Sequence, residues 1–417
     1  MSYIPRVIDQ ELDELLKIVP FVVIEGPKAV GKTFSAIQRA KKVIRLDIDE
    51  NARQMAAISP EVLLEGKTPI LLDEWQLVPE LWGRVKVESD LRQLKGQFIL
   101  TGSSKPIEDK TRDSAAGRIA RLKMRPMSLF ESGESNGAIS LKDLFGDQAT
   151  ASQGPDITIT NIAELICKGG WPSNQALTPE QSRKTMKAYI DELASIDVQA
   201  ASGIAFNASN VKRAIQSLAR NVGTRAAETT ISKDTGREGA PLDRKATAGY
   251  LEALERTMVT ENNPPWVPNL RSPARLINAS VRYFVDPSIA VAALGATPKI
   301  LINNQLNLLG FLFENLVVRD LRIYAQALGG QVMQYRDSSG SEVDVIIESE
   351  DGSWAAIEIK LGNAFIDQAA DSLKKVKNKI DLNLSGEPAF MAVVTSTGSA
   401  YQRKDGIFVL PIGTLRP

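Results

Sequence analysis

Pro20–Thr33 reads PFVVIEGPKAVGKT, and this stretch decides the fold of the first part of the chain. Phe21–Ile24 form a short apolar run rich in β-branched residues, as in a strand covered on both faces. Gly26–Thr33 then fits the spacing GxxxxGK[ST], and a helical period follows. A loop of this kind curls its backbone N–H groups towards a phosphate. Lys32 reaches the β and γ oxygens, and Thr33 offers a hydroxyl to Mg²⁺. The expected nucleotide contacts are Gly26, Pro27, Lys28, Ala29, Val30, Gly31, Lys32, Thr33 and Phe34, with ATP and Mg²⁺ as cofactors.

Outward from the loop, apolar strands alternate with helical periods: VIRLDID, a helix over Ala52–Glu65, PILLDE, a helix over Pro79–Leu94, then QFILTGS. That alternation predicts an α/β fold with a mostly parallel sheet covered by helices. Asp73 ends its strand where a magnesium-bound water is held, and Glu74 beside it is the expected polariser of the attacking water. Thr101 and Ser103, ending the next strand, are expected to orient that water. Arg118, Arg121 and Arg125 are candidates for the transition-state cation, Arg118 in AGR being favoured.

Composition narrows the chemistry. The 417 residues hold 50 basic and 50 acidic side chains, so a nucleic-acid surface has to be a local patch. There is no histidine, which removes His general bases and His metal ligands, and the one cysteine, Cys167, has no partner for an internal disulfide. A reducing cytoplasm is therefore expected, with no membrane span and no signal-peptide layout at Met1–Leu16.

Residues 131–160, rich in Gly, Ser and Asp, read as a surface excursion, and 161–204 as a helical linker. Residues 212–245 hold eight Lys/Arg against four Asp/Glu, a local net charge of +4. NNPPWVPNLRSP is a proline-rich joint. Beyond it come a long helix, GFLFENLVVRDLRIYAQAL, and the strands QVMQYR, EVDVII, AAIEIK and FMAVVT. Alternation along a strand puts Glu358 and Lys360 on one side, with Asp344 able to meet them from its neighbour. Two crowded carboxylates repel until a cation joins them. Mg²⁺ or Mn²⁺ held by Asp344 and Glu358 would activate a water towards phosphate, with Lys360 positioning it.

GPKAVGKT, LLDEWQ, LTGSS, AGR, RPMSLFE and GGWP together resemble a family of bacterial and archaeal AAA-type ATPases. YFVDP, the long helix, YRD, EVDVI and AIEIK look like the C-terminal domain usually fused to them, itself similar to the PD-(D/E)xK nucleases. The resemblance implies an ATPase core over 1–130, a winged-helix-like segment over 205–268 and a restriction-endonuclease-like α/β domain over 269–417. It adds Glu314 to Asp344, Glu358 and Lys360. It also implies Arg244, Lys245, Thr247 and Tyr250 as DNA contacts, and a homo-oligomer such as a hexameric ring.

Two functions remain open at this point. One is an ATPase acting on duplex or branched DNA, whose last domain binds or cuts it. The other is a nucleotide-gated switch in stress response or defence, whose nuclease-like domain is inactive and docks a partner.

Overall fold

The computed structural model describes residues 3–104, 116–146, 151–155, 157–202, 206–268 and 279–417. One compact unit gathers residues 1–125, 196–205 and 253–259; the other gathers 126–195, 206–252 and 260–417.

The first unit is built on five parallel strands in the order β2-β3-β4-β1-β5. These are β1 (Phe21–Glu25), β2 (Lys42–Arg45), β3 (Ile70–Asp73), β4 (Phe98–Gly102) and β5 (Ile119–Lys123). Its helices include α1 (Ile8–Ile18), α2 (Lys32–Ile37), α3 (Glu50–Ile58), α4 (Pro60–Leu64) and α5 (Leu81–Arg92). β1, β3 and β4 are apolar almost throughout because helices cover both faces. Phe21, Leu72 and Leu100 pack with Trp75 and Trp82, whose rings lie 4.9 Å apart. All five strands run the same way, so Glu25, Asp73 and Gly102 end along one edge. That edge is where an open α/β sheet takes its ligand.

One expected helix is in fact two. The run over Ala52–Glu65 breaks at Ser59, non-helical at φ −146° and ψ 69°, and restarts with Pro60 in its first turn. Proline lacks the N–H that would continue a helix and drives the residue before it out of the helical region.

The second unit opens with β6 (Ile139–Ser140) and α6 (Leu141–Phe145). β6 pairs with β13 (Leu415–Arg416), and Ile139, Leu141 and Leu144 are buried. This corrects the expectation of a surface excursion across 131–160: ISLKDLF carries its apolar residues at helical spacing, and they face a core. Helices α7 (Ile159–Lys168) and α8 (Pro179–Glu192) each begin with a capping box, Thr158/Asn161 and Thr178/Gln181. Helix α9 (Val198–Ser202) lies in the first unit; α10 (Ala208–Arg220), α11 (Glu228–Asp234) and most of α12 (Arg244–Arg256) follow. Bridges Thr224–Arg282, Thr260–Phe284 and Asn263–Val281 complete that segment. The joint's last residues, 269–273, lie outside the described residues.

Next come α13 (Pro287–Leu294), α14 (Pro298–Asn304) and α15 (Leu306–Gln326), and then a mixed six-stranded sheet ordered β11-β12-β10-β9-β8-β7. Its strands are β7 (Gln331–Arg336), β8 (Glu342–Glu348), β9 (Trp354–Lys360), β10 (Phe390–Thr395), β11 (Tyr401–Gln402) and β12 (Phe408–Pro411), with α16 (Ile366–Lys377) packed on it.

A buried ionic cluster fastens this unit. Arg319, 2% exposed, donates to Asp286 at 2.8 Å and to Asp320 at 2.7 Å. The main-chain N–H of Gly170 donates to Asp286 and that of Leu129 to Asp320, each at 2.9 Å. A Cβ on Gly170 would fall 2.1 Å from the Met127 carbonyl oxygen, so a side chain has no room there. GGWP, RPMSLFE, YFVDP and the RD pair of the long helix thus meet in one structural knot.

Candidate functional site

In the second unit, β8 and β9 are antiparallel with Val345 opposite Ile357, which brings Asp344 opposite Glu358. Asp344 Oδ2 accepts from the Ile359 N–H at 2.8 Å and from Lys360 Nζ at 3.3 Å; Lys360 also donates to Glu358 Oε2 at 2.6 Å. Glu314, on α15, accepts from the Tyr283 hydroxyl. Burial, and then the charge of Asp344, push both Glu314 and Glu358 up to about 8. Burial works to lower Lys360, but Asp344 and Glu358 outweigh it and hold it above the usual lysine range.

The four expected residues are thus neighbours, and Tyr283 joins them. Its place in YFVDP was visible in the sequence, but nothing there pointed its hydroxyl at Glu314. Asp344 and Glu358 are the two carboxylates that would hold a divalent ion together with waters, and Lys360 lies on both of them. A third protein ligand is lacking: among the described residues no group of three or more His, Cys, Asp or Glu is arranged to hold an ion.

The acids carry a pH prediction. Folded Glu314 and Glu358 keep their protons to about 8, whereas both ionise near 4.5 when exposed. The folded state therefore binds more protons across that window, and stability falls as pH rises through it. Melting temperatures of metal-free protein should drop between about pH 4.5 and 8, and Glu358→Gln should flatten the drop. Identical slopes would remove Glu358 as a titrating group.

In the first unit, the loop between β1 and α2 sits at the ligand edge of the sheet. A Cβ on Gly26 would lie 2.1 Å from the Met124 carbonyl oxygen, and Gly31, at φ 104°, adopts a left-handed conformation that favours glycine. Lys32 is buried and donates to the carbonyls of Gly26 and Pro27, both at 2.9 Å. Burial pulls its ammonium down to about 8 against the opposing pull of Glu74 and Asp73. The Thr33 hydroxyl donates to Asp73 Oδ1 at 2.7 Å, and that of Thr101 to the same oxygen at 2.5 Å. Asp73 Oδ2 is buried with no hydrogen bond; Arg45 lies 3.6 Å away, an ionic neighbour beyond hydrogen-bond reach. An orphaned carboxylate oxygen beside the loop threonine fits a magnesium-bound nucleotide, with Thr33 and Asp73 as its holders.

Glu74 occupies left-handed backbone, φ 54° and ψ 45°. Its N–H donates to Thr101 Oγ1 at 3.1 Å, and its carboxylate accepts from Ser103 at 2.9 Å and from Gln76. Thr101 and Ser103, expected to orient water, are hydrogen-bonded to the two acids. Gln76, within LLDEWQ, also approaches Ser103 at 3.3 Å.

Residues 19–132 match the family model described as an AAA domain. Residues 159–300 and 309–415 match two models, each described as a domain of unknown function, DUF8612 and DUF4143. Among curated proteins the chain is similar to uncharacterized protein Rv2008c of Mycobacterium tuberculosis and uncharacterized protein Mb2031c of Mycobacterium bovis. Each is 23% identical over 345 residues, covering 81% of this chain and 69% of the relative. Among solved structures, the Walker-type ATPase PABY2304 of Pyrococcus abyssi aligns at 15% identity with a TM-score of 0.44, over 68% of this chain and 94% of that one.

Within the AAA-domain match, Arg118 lies away from the phosphate loop of its own chain. Phe21 pairs with Ile119, so Arg118 precedes β5 at the edge opposite the phosphate loop, and it pairs with Asp90 at 2.5 Å. Arg121 lies within the strand and pairs with Glu25. Arg125, just beyond β5, is the member of the trio on the loop side.

The DNA contacts also divide. Arg244 and Lys245 are exposed at the start of α12. Thr247 is fully buried with its hydroxyl on the Asp243 carbonyl, and Tyr250 is buried 4.8 Å from the Phe206 ring. Neither reaches a phosphate, because helical spacing turns both to the packed side. Part of the local +4 charge is met from outside the segment, Lys212 pairing with Asp191 and Arg225 with Glu342, while Arg220 pairs with Asp234 and Glu238 inside it. No helix among the described residues is long and apolar enough to cross a membrane.

Proposed function

We propose that the chain is a magnesium-dependent ATPase whose hydrolysis serves an action on DNA. The observation that carries the ATPase part is the convergence of Lys32, Thr33, the orphaned Asp73 oxygen and Glu74 at one sheet edge. Bound Mg²⁺ would neutralise phosphate charge as the γ-phosphoryl group leaves. Lys32 would draw charge from the β and γ oxygens, and Glu74, held by Ser103, would take a proton from the attacking water. Assembly into a ring, with an arginine supplied by a neighbouring copy, belongs to the same proposal.

Support for DNA comes from the three helices and bridged strands after residue 206, arranged in the order of a winged helix, with Arg244 and Lys245 open to solvent. Reversing both charges should weaken duplex binding and lower the log–log salt slope by roughly 1.8, about 0.9 per lost phosphate contact. Fluorescence titrations at several salt concentrations measure this; an unchanged slope would move DNA binding elsewhere.

The second reading, a nucleotide-gated switch that docks a partner, is favoured by one observation: Lys360 already satisfies both Asp344 and Glu358. ATP hydrolysis and strand cleavage, assayed on single-stranded, duplex and four-way-junction DNA, separate the two readings. DNA-stimulated hydrolysis supports the first; hydrolysis indifferent to every DNA, with no cleavage in Mg²⁺ or Mn²⁺, supports the second.

A further inference from the structure

The phosphate loop is fastened from the N-terminal side by a residue that no motif announces. Arg6 is 7% exposed, 24 residues before the loop's Val30. Its guanidinium donates to the Val30 carbonyl at 2.8 Å and to the Arg125 carbonyl, just past β5, at 2.7 Å. Arg6 is itself held in place, its N–H donating to Asp9 at 2.8 Å. Asp9 in turn accepts from the Tyr3 hydroxyl at 2.5 Å and pairs with Arg39 at 3.2 Å. Tyr3 also meets Ser35, on the helix that follows the loop, at 2.8 Å.

We infer that Arg6 is a positioning residue for phosphate binding. The inference rests on the nucleotide reading of the loop. A peptide unit is planar and trans, so its C=O and the next N–H point in opposite directions. Anchoring the Val30 oxygen on Arg6 therefore sets the direction of the Gly31 N–H. Glycine at φ 104° has little conformational preference of its own to hold that orientation. Lys32 fixes the carbonyls of Gly26 and Pro27 at the other side of the turn. The loop is thus oriented before any anion arrives, which cuts the ordering cost of binding. An arginine suits the task because its planar fork spans two acceptors and stays charged at every working pH.

The test measures ADP and ATP affinity of the full chain by fluorescent-nucleotide titration, beside a thermal melt of each variant. Arg6→Ala should bind ADP roughly tenfold or more weakly, the scale of a lost charge-assisted hydrogen bond. Millimolar methylguanidinium should restore affinity, and methylammonium at the same concentration should not. Arg6→Lys, which keeps the charge but reaches one carbonyl, should fall between wild type and Arg6→Ala. If Arg6→Ala does not fold, Arg6→Lys carries the test, and wild-type affinity in it overturns the inference. Wild-type ADP affinity in a folded Arg6→Ala overturns it too, as does a loss that merely tracks the folded fraction and ignores methylguanidinium. Failure of the wild type to bind either nucleotide would instead sink the nucleotide reading.

Discussion

Glu74→Gln should bind ATP like the wild type and lose turnover by a factor on the order of 10²–10⁴, the usual worth of a positioned general base. The substitution is isosteric. A glutamine oxygen can still accept from Ser103, which donates to Glu74 at 2.9 Å, so the arrangement of the site should persist. What disappears is the basic oxygen. Residue 74 also stands in left-handed backbone, a conformation costing about 1–3 kcal/mol for a non-glycine residue. Such strain persists where surroundings impose it, and buried Trp75 and the Thr101 hydroxyl do so here. Lys32→Ala should lose turnover as well, but through a different step: nucleotide affinity falls with it, because the loop's buried cation is gone. Steady-state hydrolysis and equilibrium binding, measured together on both variants, distinguish a defect in chemistry from one in binding. Hydrolysis at the wild-type rate in Glu74→Gln would show that another group polarises the water.

The second large effect is on stability. Arg319→Met should cost ~3–5 kcal/mol, because it strands buried Asp286 and Asp320 without their cation. Arg319→Met combined with Asp320→Asn should recover part of the loss, since it removes one of the stranded charges while an amide can still accept from the Leu129 N–H. Urea denaturation of the three proteins gives the comparison. A loss in Arg319→Met no larger than an ordinary surface substitution, within about 0.5 kcal/mol, would mean that water or a neighbouring group replaces the guanidinium.

The nucleotide edge was legible because its signals are local. A strand covered on both faces must be apolar, and a loop cradling phosphate must turn sharply, so PFVVIEGPKAVGKT shows strand, turn and helix in succession. The distance of Arg118 from its own chain's loop takes one geometric step to see: in a parallel sheet the ligand edge follows the strands, and Arg118 precedes one. Thr247 and Tyr250 fall with Leu251 and Leu254 on one helical stripe, which assigns them to packing; the adjacent Arg244 and Lys245 masked that. Asp344, Glu358 and Lys360 were readable because charges within apolar strands demand partners. Arg6 was not, since its partners are main-chain carbonyls at Val30 and Arg125, and carbonyls leave no mark in a sequence.

The nucleotide-binding unit is assembled from residues 1–125, 196–205 and 253–259. One of the later pieces already touches the phosphate loop, with Asp197 2.5 Å from Lys28. A ribosome making this chain releases the loop long before it releases the residues that complete the loop's own unit. At ~5–20 residues per second, the interval between residues 125 and 259 is roughly 7–27 seconds. During it the sheet and its ligand edge exist without two of the segments that belong to their unit. A fragment cut to the 19–132 match would stay in that condition permanently. Expression of the nucleotide-binding part by itself should therefore start from a boundary beyond residue 259, and nascent chains stalled short of that point should be sensitive to protease within the loop.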